Sequence, residues 1–415
     1  MLKGKKNAPI IRFQGFMEDW SKNKIANVAV ICAGGTPSTS IKDYWEPKEV
    51  PWLSSGEVHK KYIKFTDNMI SKKGLQNSSA KMIPANSVLI ALAGQGKTRG
   101  TVAINGIPLV TNQSIAAMTF QSKIVPEFIF YNLETRYDEL RRISSGDGTR
   151  GGLNKKLVGD IEIPYTLHEE QEKIGVFLKK LDNTSSLYQH RIDLLKALKT
   201  YFLQNMFPSE GEKVPKIRFK EFSDNWKYCK LSSLMKVRRG LTYSPNDICE
   251  DGIRVLRSSN IYEDTFTTND DDVFVNPTIV KIPTVQNGDI LITAANGSSR
   301  LVGKHAIIRD IADNTAVHGG FMLLGTADEP NFVNALLSAP WYKKFINVYV
   351  AGGNGAIGNL NKSNLDEQNV MTPSVDEQKQ IGTYFKYIDN CIIINMRKYD
   401  QLQILKKFML QNLFV

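Results

Sequence analysis

The residues most suggestive of chemistry are Gly96, Lys97 and Thr98, near the end of the stretch VLIALAGQGKTRG (residues 88–100). An apolar strand that runs into a Gly-rich turn ending in Gly-Lys-Thr is the outline of a phosphate-binding loop. In such a loop backbone amides cradle the phosphates, the lysine reaches the β- and γ-phosphates and the hydroxyl binds Mg²⁺. The pattern fails at one position: glycine is required five residues before the Gly-Lys pair, and Ala91 stands there. No later apolar strand ends in a clearly placed Mg²⁺-binding aspartate. The chain also supplies its own control. NSVLIALAGQGKTR (86–99) aligns with NGDILITAANGSSR (287–300) at an offset of 201, pairing Gly96 with Gly297 and Arg99 with Arg300 while Lys97 and Thr98 become serines. What persists is a strand, a turn, a glycine and an arginine, which predicts a strand-edge turn and not an ATP site.

Other catalytic sets are missing as well. There is no Asn/Asp-Pro-Pro-aromatic tetrapeptide of an amino-methyltransferase and no GxSxG elbow. AGGNGAIGNLNK (351–362) is Gly-rich, but its counterpart SSGDGTRGGLNK (144–155) marks it as a repeated loop and not a dinucleotide fingerprint. Five histidines (His59, His168, His190, His305, His318) form no HExxH-like set, and His168 and His190 fall on a helix where they should face solvent. Cys32, Cys229, Cys249 and Cys391 lack any CxxC or Cys/His spacing and read as buried free thiols, so no metal is expected. The residues predict a protein without catalytic machinery of its own.

The elements that would hold these residues are written twice. PIIRFQGFMEDW and VPKIRFKEFSDNW place Ile11, Arg12, Phe13, Phe16 and Trp20 over Ile217, Arg218, Phe219, Phe222 and Trp226, all 206 residues apart. EEQEKIGVFLKKLDN (169–183) and DEQKQIGTYFKYIDN (376–390) match at 207, as do GGLNKK (151–156) and GNLNKS (358–363). The interiors diverge far more than the ends. Two similar frames therefore carry different surfaces.

Each copy closes with a long amphipathic segment. Ile174, Leu181, Tyr188, Leu195 and Phe202 follow a seven-residue spacing, widened by Leu178, Ile192, Leu198 and Met206. The second copy reads Ile381, Ile388, Asn395, Leu402 and Met409, with Phe385, Ile392, Tyr399, Leu405 and Leu413 beside them. Sustained heptads predict helices that pack on one another, here as an antiparallel pair, and forty helical residues would reach roughly 60 Å. Ile174, Leu181, Tyr188, Leu195, Phe202, Ile381, Ile388, Leu402 and Met409 are the expected packing residues. The globular parts mix short β-type runs with short helices (127–142, 331–346). The expected fold is thus α/β (α+β): two similar globular domains, 1–166 and 209–373, separated by two long antiparallel coiled-coil helices, 167–208 and 374–415, as a pseudo-two-fold tandem repeat.

Charge suggests what the surfaces meet. The net charge is +11; the long segments hold twelve Lys/Arg against nine Asp/Glu, which leaves +8 on the domains and linkers. Basic and amide side chains on Gly/Ser turns suit phosphate and base-edge contacts. The candidates are Lys97, Arg99, Arg150, Asn154, Lys155 and Lys156 in the first copy, and Arg257, Ser299, Arg300, Lys304, Asn361 and Lys362 in the second. No apolar run is long enough to cross a membrane and MLKGKKNAP has no signal-peptide core, so a cytoplasmic protein is expected. A coiled-coil adaptor joining two proteins without DNA is the alternative; the positive charge on the divergent domains weighs against it.

The IRFxxFxxxW opening of each copy, the GxLNK element before each helix and the paired helices carrying EQ…IG…LDN together resemble the specificity subunit of type I restriction–modification systems. The resemblance runs the length of the chain, with one departure: the Pro-rich run before the EQ motif is thinned to IPYTLHEEQ and TPSVDEQ. It implies two target-recognition domains reading the halves of a bipartite site in double-stranded DNA, with the helix pair fixing the spacer. It also implies partners: methyltransferase subunits, two of them, and motor/nuclease subunits. S-adenosylmethionine, ATP and Mg²⁺ would be held by those partners and no cofactor by this chain.

Overall fold

The computed structural model describes residues 7–94, 97–143, 154–350 and 359–415. Its contacts divide the chain into two compact units, residues 1–187 with 399–415, and residues 188–398. Each unit is therefore a globular body, the first half of the helix that follows it, and the last turns of the helix belonging to the other sequence copy.

In unit 1 a five-stranded sheet runs in the order Ala29–Ala33, Ile115–Phe120, Val88–Ala91, Val102–Asn105, Tyr62–Ile63. A four-stranded sheet runs Asn68–Ile70, Val50–Leu53, Leu109–Thr111, Met82–Ile83. Unit 2 repeats this with two four-stranded sheets: Lys236–Arg239, Met322–Thr326, Ile290–Thr293, His305–Ile307, and Ile248–Cys249, Val273–Val275, Ile253–Leu256, Ala316–His318. Val88–Ala91 and Ile290–Thr293 are apolar but for the final threonine because both faces are covered, and every residue in them is buried. The two helical stretches expected in the globular parts are each broken in two. Pro126–Thr135 is followed by Tyr137–Ile143, and Pro330–Ser338 by Pro340–Tyr349. Pro340 explains the second break, since it has no amide proton and pushes Ala339 into extended geometry (φ −73°, ψ 161°). All four cysteines are free but only half-buried, not enclosed as expected.

The long helices span His168–Asn205 and Val375–Asn412. Ile174 and Leu181 are buried in the core of unit 1, with Leu402 and Met409 packed against it; Ile381 and Ile388 are buried in unit 2, with Leu195 and Phe202 against them. Tyr188 is half-buried. Leu178, Ile192, Met206, Phe385, Ile392 and Leu413 also point inward. Leu198 and Leu405 do not: they are 42% and 41% exposed, against expectation. The inward place next to each belongs to a lysine, Lys199 or Lys406, which turns its neighbour about 100° toward solvent. Those lysines form an ion pair that the repeat preserves. Lys406 bonds Asp182 (2.5 Å) in unit 1, and Lys199 bonds Asp389 (2.7 Å) in unit 2. Within unit 2 the pairs Lys199–Asp389 and Phe202–Tyr384 (ring centroids 5.0 Å apart) show that the helix segments run antiparallel.

The repeated motifs at the ends of each copy meet in space and form a latch. The Arg12 guanidinium donates to both carboxylate oxygens of buried Glu170 (2.6 and 2.9 Å), and Trp20 Nε1 donates to the same carboxylate (3.0 Å). Arg218 repeats the fork on Glu377 (2.8 Å twice), whereas Trp226 Nε1 has no hydrogen-bond partner among the described residues. Gln171 and Gln378 each donate to a backbone carbonyl just before their helix, at Thr166 (2.8 Å) and Pro373 (3.1 Å). The entry segments also close helix ends: the Ile11 amide donates to the Asn412 carbonyl (3.0 Å) and the Ile217 amide to the Asn205 carbonyl (2.9 Å). These carbonyls would otherwise be among the orphans of a helix C-terminus. The IRFxxFxxxW and EQ motifs are thus structural: they bind body, helix start and helix end into one unit.

Candidate nucleic-acid interface

Lys97 and Thr98 lie in the connection of a hairpin. Val88–Ala91 pairs antiparallel with Val102–Asn105 in the register Val88↔Ile104, Leu89↔Ala103, Ile90↔Val102. A phosphate loop must lead from a strand into a helix, whose N-terminal amides hold the anion. Here the chain returns as a strand. Lys97 is exposed and its carbonyl accepts from the Tyr137 hydroxyl (3.0 Å), while Arg99 is half-buried with the loop against the helix Tyr137–Ile143. Gly96 and Arg150 lie outside the described residues.

Backbone hydrogen bonds fix which residues of the two hairpins are equivalent. In unit 1 the Ala91 amide donates to Thr101, the Gly100 amide to Ala91 and the Leu92 amide to Ser114; in unit 2 the same three bonds run from Thr293 to Lys304, Gly303 to Thr293 and Ala294 to Phe321. Gly100 (φ +84°) and Gly303 (φ +86°) close the two tips in the left-handed region that favours glycine. The second tip is one residue longer. Counted from the strand, Arg300 stands where Thr98 does, and Arg99 where Leu301 does. The pairing of Arg99 with Arg300 by letters is therefore corrected: the letters match at an offset of 201, whereas the strands register at 202 and the closing glycines at 203, so Arg300 has a different place from Arg99. It lies in the short turn Ser299–Leu301, where Ser299 and Arg300 are exposed, and Lys304 follows, half-buried, at the start of His305–Ile307.

In unit 2 three strands deliver loops to one edge. Ile253–Leu256 and Ala316–His318 run parallel, and the Gly319 amide donates to the Leu256 carbonyl (2.9 Å). Ile290–Thr293 ends beside them, where the Ala294 and Ala295 amides donate to the Phe321 carbonyl (2.9 and 3.0 Å). Asn296 Nδ2 donates to Ser258 Oγ (2.8 Å), tying the Arg300 loop to the one that begins at Arg257. A bridge between Ala295 and Asn359, with the Leu360 amide on the Ala294 carbonyl (2.7 Å), brings in the segment leading to Asn361 and Lys362. The edge thus gathers Arg257, Ser299, Arg300, Asn361 and Lys362. In unit 1 the matching backbone bond, Asn112 amide to Leu53 carbonyl (3.0 Å), puts Ser54 in the place of Arg257. That edge presents Ser54, Asn112, Gln113 and Lys97.

The asparagines of the two LNK elements have a structural task. Asn154 Oδ1 accepts from the Leu157 amide (2.9 Å) and caps Lys155–Asp160; Asn361 Oδ1 accepts from the Ser363 amide (3.1 Å) and caps Lys362–Asp366. Their carboxamide oxygens are occupied as N-caps. Lys155 and Lys156 are exposed on the first turn; Lys362 is ion-paired with Asp366. Behind the edge of unit 2 lie His305 and His318, both buried. Burial lowers both imidazoles, His318 to about 4, so they are neutral at pH 7. His59, His168 and His190 are exposed. Among the described residues no cluster of His, Cys, Asp or Glu has the arrangement of a metal site, and no helix is long and apolar enough to cross a membrane.

Letters alone did not single out Phe321, Asn296 or the Lys–Asp bridges. The signals were present as Gly319-Gly320 before Phe321 and as the 207-residue spacing of Lys199 from Lys406 and Asp182 from Asp389.

Comparison with known proteins places the chain in a family. The family described as Type I restriction modification DNA specificity domain matches residues 17–197 and again 223–403. The MjaVIII specificity subunit of a type I restriction enzyme from Methanocaldococcus jannaschii is 22% identical over 410 residues, 94% of this chain and 91% of that one. The MjaIX specificity subunit from the same organism is 27% identical over 234 residues, which span 54% of this chain and 53% of that relative. The crystal structure of a type I restriction–modification S subunit from M. genitalium superposes with a TM-score of 0.68 at 13% identity, covering 98% of this chain and 99% of its own, and so shares the fold. With its two family matches together spanning most of its length, the chain belongs to the type I restriction–modification DNA specificity family.

Proposed function

We propose that this chain is the non-catalytic DNA-reading subunit of a type I restriction–modification complex, and that each globular body reads one half of a bipartite duplex target. The observation that carries this reading is the pair of equivalent strand-end edges. Both are built on the same backbone hydrogen bonds, yet they present different side chains: Ser54 against Arg257, Ser114 against Phe321, and tips of unequal length. A retained frame with exchanged edge residues is what two different half-sites require, because base-edge contacts specify sequence while phosphate contacts only position. The four segments 1–166, 167–208, 209–373 and 374–415 would then be recognition domain, spacer helix, recognition domain and spacer helix.

The helices offer apolar side chains that their own units leave exposed. Leu194, Leu198 and Tyr201 lie on the first, within unit 2; Ile404, Leu405 and Phe408 lie on the second, within unit 1. Leu198 and Tyr201 recur 207 residues later as Leu405 and Phe408, so the same surface is offered twice. We assign it to two methyltransferase subunits. S-adenosylmethionine belongs on those subunits, ATP and Mg²⁺ on the motor/nuclease subunits, and the assembly in the cytoplasm.

The test exchanges residues 1–166 for the corresponding domain of a relative with a different target and reads the methylome of the host. One half-site should change and the other persist; a change in both halves defeats the modular reading. Adding two turns to both long helices should lengthen the unspecified spacer. DNA affinity of the assembled complex should fall steeply with salt, and a salt-independent complex that binds no DNA would return the adaptor reading.

A further inference from the structure

Phe321 is the most exposed aromatic side chain among the described residues, at 75%. It sits on the turn between Ala316–His318 and Met322–Thr326, and the backbone of that turn is clamped. The Gly319 amide donates to Leu256, the Met322 amide to Gly319 (2.8 Å), and the Phe321 carbonyl accepts from both Ala294 and Ala295. The turn packs closely on Thr242: a Cβ on Gly320 would come 3.1 Å from Thr242 Oγ1. A rigid loop thus holds an apolar ring in water, and the ring joins none of the hydrophobic clusters of unit 2. An isolated exposed apolar side chain needs no explanation on a random surface. This one stands on the edge that gathers Arg257, Asn296 and Arg300, where its counterpart in unit 1 is Ser114, flanked by Asn112 and Gln113. The edge in unit 1 is polar throughout at these three positions; only unit 2 has replaced them with Gly-Gly-Phe.

We infer that Phe321 makes the apolar base contact of the second recognition domain, a specificity-determining contact that unit 1 lacks. The inference rests on the DNA reading proposed above. Phenylalanine contributes to DNA recognition by packing on a thymine methyl group or by wedging between base pairs. Both are contacts of an unpaired ring with the apolar parts of bases, and neither is available to Ser114.

The test uses the full-length chain assembled with its methyltransferase subunits and a duplex carrying the target found by methylome sequencing. Phe321→Ala should weaken cognate binding about ten- to hundred-fold, the range of one good base contact. It should leave affinity for unrelated duplex and the salt slope unchanged, and relax discrimination at one position in one half-site. Phe321→Leu should fall between the two. Replacing thymine by uracil at the relaxed position reproduces the loss if the ring packs on a methyl group. A 2-aminopurine there brightens with the wild-type complex, and not with Phe321→Ala, if the ring unstacks the bases. Wild-type affinity and discrimination in Phe321→Ala overturns the inference and leaves the DNA reading standing. An equal loss on cognate and unrelated duplex, or a failure to assemble with the methyltransferase, overturns it in favour of a non-specific or protein contact. If the wild-type complex itself discriminates no sequence, the DNA reading falls and this inference falls with it.

Discussion

The same lysine–aspartate bridge occurs in both units, and its surroundings differ. In unit 2 Lys199 and Asp389, with their side chains 14% and 23% exposed, have no further ion-pair partner among the described residues. In unit 1 Lys406 is 7% exposed and bonds Glu134 (3.3 Å) as well as Asp182; Lys61 pairs with Glu134, and Asp182 accepts from the Tyr131 hydroxyl (2.8 Å), which meets Tyr62 (2.6 Å). Burial pushes both tyrosine hydroxyls up, so they stay protonated and serve as donors. The first copy has therefore extended a simple clamp into a partly buried network that ties the helices to the body, while the second keeps the single clamp among the described residues. The repeat preserves the join between helices and leaves each body to decide how firmly it is held.

The sharpest break of this comparison is Lys406→Met against Lys199→Met. The first removes a nearly buried ammonium from two half-buried carboxylates, which keep Lys61 and Tyr131 as partners, and should cost about 2 kcal/mol; the second removes one partner of a single pair and should cost about 1 kcal/mol. Chemical denaturation followed by hydrogen exchange in each unit checks this, and equal losses would mean that Glu134 and the tyrosines add nothing. A second asymmetry is in acid. Both buried histidines are in unit 2, and a neutral imidazole with a lowered folded pKa stabilises fully above its unfolded value near 6.5. That stability is lost as pH falls from about 6.5 toward the folded value, about 4 for His318, worth up to about 3 kcal/mol. Unit 2 should thus open before unit 1 between pH 6.5 and 4, and His318→Gln should flatten the difference.

The latches differ more gently. Glu170 accepts from Arg12, Trp20 and Thr166, whereas Glu377 accepts from Arg218 and nothing from Trp226. Glu170→Ala should cost about 3 kcal/mol and Glu377→Ala about 2 kcal/mol, and Trp20→Phe should lose a hydrogen bond that Trp226→Phe does not. Intrinsic tryptophan fluorescence during unfolding separates them. Smallest in stability is the contrast of the hairpin arginines. Arg300→Ala, on an exposed turn, should leave stability within about 0.5 kcal/mol yet weaken DNA binding, whereas Arg99→Ala, half-buried, should lower stability first. Binding isotherms beside melting curves check that order.

Much of the frame was legible because it is periodic or repeated. The long helices announced themselves by heptads, and the latch residues by their recurrence at 206 and 207. Leu198 and Leu405 were misplaced because a heptad reading ranks leucine inward ahead of lysine, and the Lys–Asp bridge reverses that order. The edges were harder. The letters match the two hairpins at 201, one short of the strand register and two short of the closing glycines, and so set Arg99 against the wrong neighbour, since letters carry no record of hydrogen bonds. Asn154 and Asn361 looked like base readers, yet a side chain that precedes a helix is also an N-cap, and only geometry decides between the two. Exposure of Phe321 on a clamped turn is a property of packing that a string of residues does not display.

Unit 1 opens the chain and yet cannot be finished first. Its core includes Leu413, with Leu402, Met409, Leu410 and Phe414 packed around it, and its Ile11 amide bonds the Asn412 carbonyl. Unit 2, residues 188–398, is contiguous. During synthesis every residue of the second body is present once residue 398 has emerged, while the first still lacks residues 399–415. The ribosome makes unit 1 first and the fold completes it last.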